Sequence, residues 1–160
     1  VVKHPPGNKP ISPDTELLLM NASRAQLVQQ AIRPALASGA VVLCDRFYDS
    51  SLAYQGYGRG LDLAKVQNAI DLAVGETKPD ITLLLDIPLE VSAERVANRQ
   101  FKTGESIDQF DRSGDTFFKR VLDGFHALAK GDPQRLRTIN ADQSPDSVSD
   151  EIWNTLKDHF

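Results

Sequence analysis

The stretch that decides the fold is residues 40–46, which read Ala-Val-Val-Leu-Cys-Asp-Arg. An apolar run between a helical pattern and a polar turn is typical of a buried strand in a parallel sheet. On this interpretation Cys44 belongs to the core. Open α/β sheets bind their ligands beyond the carboxyl ends of the strands. The sequence therefore places Asp45 and Arg46 at the edge of the sheet where a ligand would bind.

Strands and helices alternate on both sides of this stretch. Ser12-Pro13 predicts the start of a helix over about 13–37, kinked near Pro34. Further elements are predicted as helices at about 62–74, 89–99, 115–130 and from Ser144-Pro145 onward, and as strands at 81–85 and 136–139. This alternation predicts an α/β fold with parallel strands, formed by a single domain over residues 1–160.

The bulk composition argues against several classes of protein. A net charge of -4 argues against a general nucleic-acid binder. No run of about 18 apolar residues is present, so we expect no membrane span. Cys44 is the one cysteine of the sequence, which excludes an intrachain disulfide and favours a cytoplasmic protein. The three histidines are scattered along the sequence, which argues against a His-based metal site.

The start of the sequence is unusual for a translated protein. The chain begins with Val1, and its only methionine is Met20. Three strands are also few for the number of helices that would cover them. We therefore interpret the sequence as truncated at its N-terminus and expect further strands upstream of Val1.

Two arginines stand out as candidate ligand-binding residues. Arg46 at the edge of a sheet would present a planar fork that binds a phosphate through two charge-assisted hydrogen bonds. Asp45 alone is equally well explained by a helix cap or a loop hydrogen bond, but Arg46 directly after it favours an anion site. Arg24 shares a predicted helix face with Met20, Leu27 and Ala31. It either extends along that face to solvent or lines a pocket and donates to a polar ligand.

Two polar segments could complete such a site. Residues 50–60 combine hydroxyls, an amide, aromatic rings and three glycines close to Arg46, which suits a nucleoside pocket. Residues 99–113 form a polar connector between two predicted helices. That connector is either a solvated loop or a mobile lid whose cations meet phosphates on closure.

Taken together, these features resemble the thymidylate kinases, from about Ser12 to the C-terminus. Three stretches carry the resemblance, namely residues 16–26, 45–61 and 78–86. The most specific pattern is Asp45-Arg46-Phe47 followed by Ser51-Leu52-Ala53-Tyr54-Gln55-Gly56. The resemblance implies a P-loop kinase-like parallel sheet with helices on both faces. It also implies transfer of the γ-phosphate of ATP to dTMP, giving dTDP, with Mg²⁺ as the cofactor. The family commonly forms homodimers through its helices, so a homodimer is an expectation of the same kind.

The resemblance also implies roles for individual residues. Arg46 would hold the dTMP phosphate, and Arg24 would donate to a thymine carbonyl. Contacts to base or sugar would come from Met20, Ser51, Tyr54 and Gln55. The Tyr54 ring would pack on the deoxyribose and would meet a ribose 2′-hydroxyl, which explains selection for deoxyribose. Asp45 would act with Arg46 in catalysis and would organise Mg²⁺ and the phosphates. On the ATP side stand Arg95 and Arg99 at the start of the lid, and Gln143 near the adenine.

The sequence departs from the family pattern at three places. No G-x-x-x-x-G-K-[S/T] motif occurs in the 160 residues, so the first strand or strands and the phosphate-binding loop have no counterpart. We therefore expect this chain alone to be inactive in phosphoryl transfer. Met20 stands where the family usually has a Phe that stacks on thymine. In the lid, Asp108-Gln109-Phe110-Asp111 lacks one expected cation, for which Arg112 or Lys102 could substitute.

Two other interpretations of the sequence remain open. A deoxynucleoside kinase of the same fold also places Asp-Arg at the end of a strand, but the Ser-x-Ala-Tyr-Gln-Gly continuation fits it poorly. A non-catalytic nucleotide-binding relic would keep the acceptor site without a phosphate-binding loop. The three interpretations differ in the acceptor that they predict and in whether any phosphate is transferred.

Overall fold

The computed structural model describes Val2, residues 10–103, Phe110 and residues 113–159. The chain divides into two compact units. The first contains Val1–Lys78 and Asp108–Phe125, and the second contains Pro79–Ile107 and His126–Phe160. The expectation of a single domain over residues 1–160 stays a prediction. Within the described residues, no helix is both long and apolar enough to cross a membrane.

The first unit begins with a long helical stretch. Helix α1 spans Pro13–Leu27 and begins at Ser12, whose Oγ accepts a hydrogen bond from the Thr15 amide at 3.2 Å. A π turn, Val28–Ile32, joins it to helix α2, Arg33–Ala37. Because Pro34 has no amide hydrogen and its ring clashes with the preceding turn, the widened π turn accommodates it. The predicted helix over 13–37 is confirmed.

The buried face of α1 is not the apolar face that Arg24 shares. Leu27 is 43% exposed and Ala31 is exposed, so the face that Met20, Arg24, Leu27 and Ala31 share is not the core face. The buried residues of α1 and the π turn are Glu16, Leu17, Asn21, Val28 and Ile32. Hydrogen bonds make the two polar members acceptable in the core, because Asn21 Nδ2 donates to the Leu17 carbonyl at 2.9 Å and Glu16 accepts from Gln55.

Three further elements complete the part of the first unit before Lys78. Helix α3, Asp49–Ser51, runs into a second π segment, Leu52–Gly58. Helix α4 spans Leu63–Val74 and begins at Asp62, whose Oδ1 accepts from the Lys65 amide at 2.9 Å. It ends at Gly75, which has a φ of 53°, a conformation that favours glycine. Val66, Ile70 and Val74 of α4 are fully buried. The predicted helix over 62–74 is confirmed.

The predicted strand at residues 40–44 is wrong for the described structure. These residues form no regular element, and Val41 and Leu43 are 65% and 88% exposed. Cys44, which the sequence places in the core, is exposed as well. A strand is defined by ladder hydrogen bonds to a neighbour. No such ladder reaches residues 40–44 within the described part of the chain.

The second unit contains two parallel strands. Strand β1, Thr82–Asp86, pairs with strand β2, Leu136–Asn140, with Thr82 opposite Leu136 and Asp86 opposite Asn140. The predictions of strands at 81–85 and 136–139 are confirmed. Both strands therefore end at the same edge, where Asp86 and Asn140 lie side by side. This edge is where a parallel sheet binds ligands.

Three more helices belong wholly or partly to this unit. Helix α5, Leu89–Thr103, extends beyond the predicted end at 99, so the first residues of the predicted lid are helical. The lid residues 104–109, 111 and 112 lie outside the described residues, and so do the predictions for Asp108, Gln109, Asp111 and Arg112. Helix α7, Pro145–Leu156, is capped by Ser144 and followed by a 3-10 turn, Lys157–His159.

Helix α6, Asp115–Gly131, contributes residues to both units. Its predicted range of 115–130 is confirmed. The core residues of α6 are Phe117, Val121 and Gly124. The helical spacing of the sequence predicts instead a stripe of Phe118, Val121, Phe125 and Leu128. Phe117 is 3% exposed because its ring packs against the rings of Tyr54 and Phe110.

Candidate functional site

Arg46 lies in the turn that follows residues 40–44. Its φ of 65° falls in the left-handed region, which is unusual for a residue other than glycine. In this conformation the guanidinium carbon lies 4.4 Å from the centre of the Tyr54 ring, and Nε donates to Ser50 Oγ at 3.3 Å. Within the described residues, no hydrogen bond engages either Nη atom of this exposed side chain. The geometry holds the guanidinium by one face and leaves its outer donors for a ligand.

The Tyr54 ring packs against the guanidinium of Arg46. Its ring contacts Phe110 at 5.5 Å between centroids, Phe117 at 6.0 Å and Phe125 at 6.3 Å, in edge-to-face arrangements. The structure thus brings together two of the predicted site residues, Arg46 and Tyr54. We call Tyr54, Phe110, Phe117 and Phe125 the aromatic cluster. The cluster fixes the Tyr54 ring, and this ring in turn limits where the guanidinium of Arg46 lies.

Arg24 approaches the same region from helix α1. Its Nη1 donates to Asn21 Oδ1 at 2.6 Å and its Nη2 to the Phe47 carbonyl at 3.2 Å. The guanidinium carbon also lies 5.6 Å from the Phe47 ring centre. Burial lowers the pKa of Arg24 below its ordinary value, and the charges of Cys44 and Asp49 act in the opposite direction. Arg24 is therefore tied to the residue directly after Arg46.

The other predicted acceptor residues differ in exposure. Ser51 and Gln55 are 1% and 2% exposed, and Gln55 Nε2 donates to Glu16 Oε1 at 2.7 Å. Met20 is half-buried on α1. The Gln55 amide is thus engaged inside the first unit, and its contact with a nucleotide stays a prediction, as do those of Met20 and Ser51.

Asp45 and Cys44 lie on the exposed side of the turn. The Cys44 thiol donates to the Arg46 carbonyl at 3.6 Å. Desolvation raises the pKa of Cys44, the positive charge of Arg24 opposes this, and the carboxylate of Asp45 adds to it. Within the described residues, no group of three or more His, Cys, Asp and Glu side chains could hold a metal ion. A lone exposed carboxylate such as Asp45 suits Mg²⁺, which keeps several waters and binds mainly through substrate phosphates.

A buried ion pair, absent from the sequence-based prediction, lies behind the aromatic cluster. Glu16 is 0% exposed, and Arg59 binds both of its oxygens, through Nε at 3.3 Å and Nη2 at 3.0 Å. Arg59 Nη1 also donates to Ser113 Oγ at 3.0 Å. The position of Arg59 between Gly58 and Gly60 in the family-like stretch was an available signal. Nothing in the local sequence distinguishes Glu16 from a solvated acid in a first helical turn.

The predicted ATP-side residues lie in the second unit. Arg95 Nη1 donates to the Ala141 carbonyl at 3.1 Å, and its Nη2 lies 3.9 Å from Asp142 Oδ1. Gln143 Nε2 donates to the Asn140 carbonyl at 2.8 Å and to Glu151 Oε2 at 2.7 Å. The loop that follows β2 thus gathers Arg95 and Gln143. Arg99 is exposed one turn further along α5.

Strand β1 ends in a second contact that the sequence did not reveal. His126 Nε2 lies 2.9 Å from Asp86 Oδ1, at the carboxyl end of the strand. The sequence marked Asp86 as a residue at the end of a strand, but it gave no indication that a histidine of helix α6 would be its partner. His126 also lines a cavity of about 770 Å³ with Lys130, Arg137 and His159 among its other walls.

Comparisons with known proteins identify one family. A family model described as thymidylate kinase matches residues 4–152. The chain is 47% identical over 148 residues to a thymidylate kinase of Synechococcus sp. (strain JA-2-3B'a(2-13)), covering 92% of this chain and 68% of that relative. It is 43% identical over 153 residues to the thymidylate kinase of Alcanivorax borkumensis, with 96% and 71% covered.

A solved structure is also similar to this chain. The crystal structure of thymidylate kinase from Ehrlichia chaffeensis matches with a TM-score of 0.70 and 30% identity, covering 94% of this chain and 67% of that one. The predicted fold class, a helix-rich P-loop kinase-like fold with a parallel sheet, is confirmed by this match.

Proposed function

Since this chain belongs to the thymidylate kinase family, whose members are nucleoside-monophosphate kinases, we propose that it binds dTMP as the acceptor of the γ-phosphate of ATP. The product of this transfer is dTDP. The single observation that carries the proposal is the position of Arg46, whose guanidinium rests on the Tyr54 ring at 4.4 Å with its outer donors toward solvent. The oxygens of a phosphate monoester can accept two parallel hydrogen bonds from such a fork.

The role of Arg46 follows from the chemistry of phosphoryl transfer. Charge is spread over the oxygens of the transferred group, and the protein contributes mainly position and charge neutralisation. In the proposed site, Arg46 orients the dTMP phosphate and reduces its repulsion toward the incoming phosphoryl group. The positive φ of Arg46 supports this assignment, because a strained backbone is found where a side chain must be aimed.

The remaining acceptor contacts are proposed from position. Arg24, fixed beside Phe47, would donate to a thymine carbonyl. Tyr54 would pack on the deoxyribose, and a ribose 2′-hydroxyl would meet its ring. Met20, Ser51 and Gln55 would complete the pocket around base and sugar.

The donor side of the reaction is proposed from the second unit. Arg95 and Arg99 would contact the phosphates of ATP, and Gln143 would approach the adenine. Mg²⁺ would neutralise the phosphate charge, and Asp45 is the exposed carboxylate of this chain that we assign to it. A cytoplasmic location and a homodimer remain parts of the same proposal.

Calorimetric titration of the 160-residue chain with dTMP, thymidine and the ribose analogue of dTMP tests the acceptor assignment. We expect dTMP to bind most tightly, because it alone combines the phosphate with a deoxyribose. A folded chain that binds no dTMP would refute the proposal. Tighter binding of thymidine than of dTMP would favour a deoxynucleoside kinase.

Transfer is measured in the same samples with radiolabelled ATP and Mg²⁺. Label in dTDP establishes the kinase reaction for this chain. A chain that binds dTMP and forms no dTDP would confine the function of these residues to the acceptor site.

A further inference from the structure

The buried pair of Glu16 and Arg59 carries an inference beyond the acceptor site itself. Glu16 is 0% exposed and the Arg59 side chain is 19% exposed. A buried carboxylate is stable in its charged form only with charged and hydrogen-bonding partners, and here Arg59 and Gln55 supply them. Nothing in the proposed reaction requires a charge at this depth.

The second face of Arg59 connects the pair to the aromatic cluster. Its guanidinium carbon lies 4.4 Å from the Phe117 ring centre and 5.6 Å from that of Phe110. Both of these rings contact Tyr54, at 6.0 and 5.5 Å. The Tyr54 ring carries Arg46 at 4.4 Å.

A continuous set of contacts therefore joins Glu16 to Arg46. The contacts run from the Glu16 carboxylate to the Arg59 guanidinium. They continue through the Phe117 ring and the Tyr54 ring to the Arg46 guanidinium. Gln55 provides a second connection, because it follows Tyr54 directly in the chain and donates to the same Glu16 oxygen that Arg59 Nε reaches. Glu16 thus fixes both the backbone next to Tyr54 and the rings that support it.

We propose that Glu16 and Arg59 are positioning residues for the dTMP phosphate, acting through Tyr54 on Arg46. The inference rests on the proposed function. With the carboxylate removed, Arg59 loses the partner that fixes its guanidinium against Phe117. The Phe117 and Tyr54 rings then gain freedom, and Arg46 is no longer held where the phosphate arrives. Thymidine has no phosphate, so its binding does not depend on the position of Arg46.

The test compares dTMP with thymidine in calorimetric titrations of Glu16→Gln, Arg59→Lys and the unchanged chain. We expect Glu16→Gln to weaken dTMP binding about tenfold, the size of effect that coupling between contacting residues produces. Thymidine shares the sugar and base contacts of Tyr54 and Gln55 but has no phosphate, so we expect its binding to weaken clearly less than that of dTMP. Arg59→Lys keeps the charge and loses the two-point contact with Glu16, so it should give a smaller loss of the same selectivity. Glu76→Gln, an exposed acid of the same unit, is the matched control and should leave both affinities unchanged.

Each result bears on the inference. A larger loss for dTMP than for thymidine supports it. Equal losses for dTMP and thymidine would mean that the pair serves only stability, and unchanged dTMP binding would mean that Arg46 is positioned without it; either result overturns the inference. If Glu16→Gln does not fold, as judged by circular dichroism, Arg59→Lys decides the question through the same comparison of dTMP and thymidine affinities. An unchanged chain that folds and binds no dTMP would instead refute the proposed function.

Discussion

The two stretches on either side of Arg46 differ in a way that their composition does not predict. Upstream, residues 40–44 are wholly apolar, yet Val41 and Leu43 are 65% and 88% exposed. Downstream, residues 48–58 carry hydroxyls, an amide and a carboxylate, yet Ser51 and Gln55 are 1% and 2% exposed. The polar stretch is buried and the apolar one is exposed.

Hydrogen-bonding partners explain this difference in exposure better than hydrophobicity does. The downstream stretch forms helical turns that satisfy its backbone, and Gln55 reaches a buried acid of helix α1. The upstream stretch has the pattern of a strand, which depends on a neighbouring strand for its hydrogen bonds. For the site this means that Arg46 is positioned from the downstream side, through Tyr54.

Replacing Arg46 by alanine is expected to have the largest effect. We expect dTMP turnover to fall by about 100-fold or more, because the guanidinium supplies both orientation and charge to the phosphate. Steady-state kinetics measures this turnover in any form of the protein that produces dTDP. Arg33→Ala in the same protein is the control for the loss of a positive charge. Wild-type-like kinetics for Arg46→Ala would contradict the role of Arg46 and with it the view that the downstream stretch exists to aim this side chain.

Gly58→Ala tests how tightly the downstream stretch is packed. A Cβ at Gly58 would lie 2.7 Å from Phe117 Cε2 and 2.8 Å from Val121 Cγ2. We expect the free energy of unfolding to fall by about 2 kcal/mol, as overpacking of a core typically produces. Urea denaturation measures this change.

Gly131→Ala is the matched control, because the Cβ that it adds meets no heavy atom within 4 Å among the described residues, apart from its chain neighbours and its own helix backbone. We expect its unfolding free energy to remain within about 0.5 kcal/mol of that of the unchanged chain. Equal stability of the two variants would mean that residues 52–58 are loosely packed and that the contrast with residues 40–44 is smaller than it looks.

Tyr54→Ala separates the two roles that we assign to this ring. Loss of the ring removes both the support under Arg46 and the barrier to a 2′-hydroxyl. We expect the preference for dTMP over its ribose analogue to narrow by about tenfold or more, because an apolar wall rejects an analogue with one added hydroxyl by up to about 100-fold. Relative binding constants measure it, and Tyr54→Phe, which keeps the ring, should retain the preference. An unchanged preference in Tyr54→Ala would remove the ring from sugar selection and leave it the supporting role alone.

The sequence predicted the local elements better than their packing. Helix ends at Ser12, Asp62 and Ser144 carry their own capping side chains, so the pattern that predicts them is also the interaction that forms them. The strand at 40–44 failed because a ladder depends on residues elsewhere in the chain. The buried face of α1 was not evident from the sequence for a related reason, since only the distant Gln55 and Arg59 make a buried Glu16 acceptable.

The site shows the same difference between contacts that are local in sequence and contacts that are not. Arg46 and Tyr54 are close in sequence, and the stretch that links them is helical, so their proximity could be anticipated from the motif. The aromatic cluster and the Glu16–Arg59 pair join residues 16, 59, 110 and 117, and no local pattern connects those positions.

The reactivity of the Cys44 thiol measures how exposed residues 40–44 are in solution. As the one cysteine of the sequence it is the sole site for iodoacetamide, and the urea-unfolded chain provides a reference with an unperturbed thiol. Because desolvation raises the pKa of Cys44, the folded chain holds less thiolate at pH 8. We expect alkylation of the folded chain to be slower than that of the unfolded chain at this pH, since only the thiolate reacts, and the two rates should converge as pH rises above the raised pKa. A folded-state thiol that is inert at every pH would show that residues 40–44 are covered in solution, and the contrast between the two sides of Arg46 would then disappear.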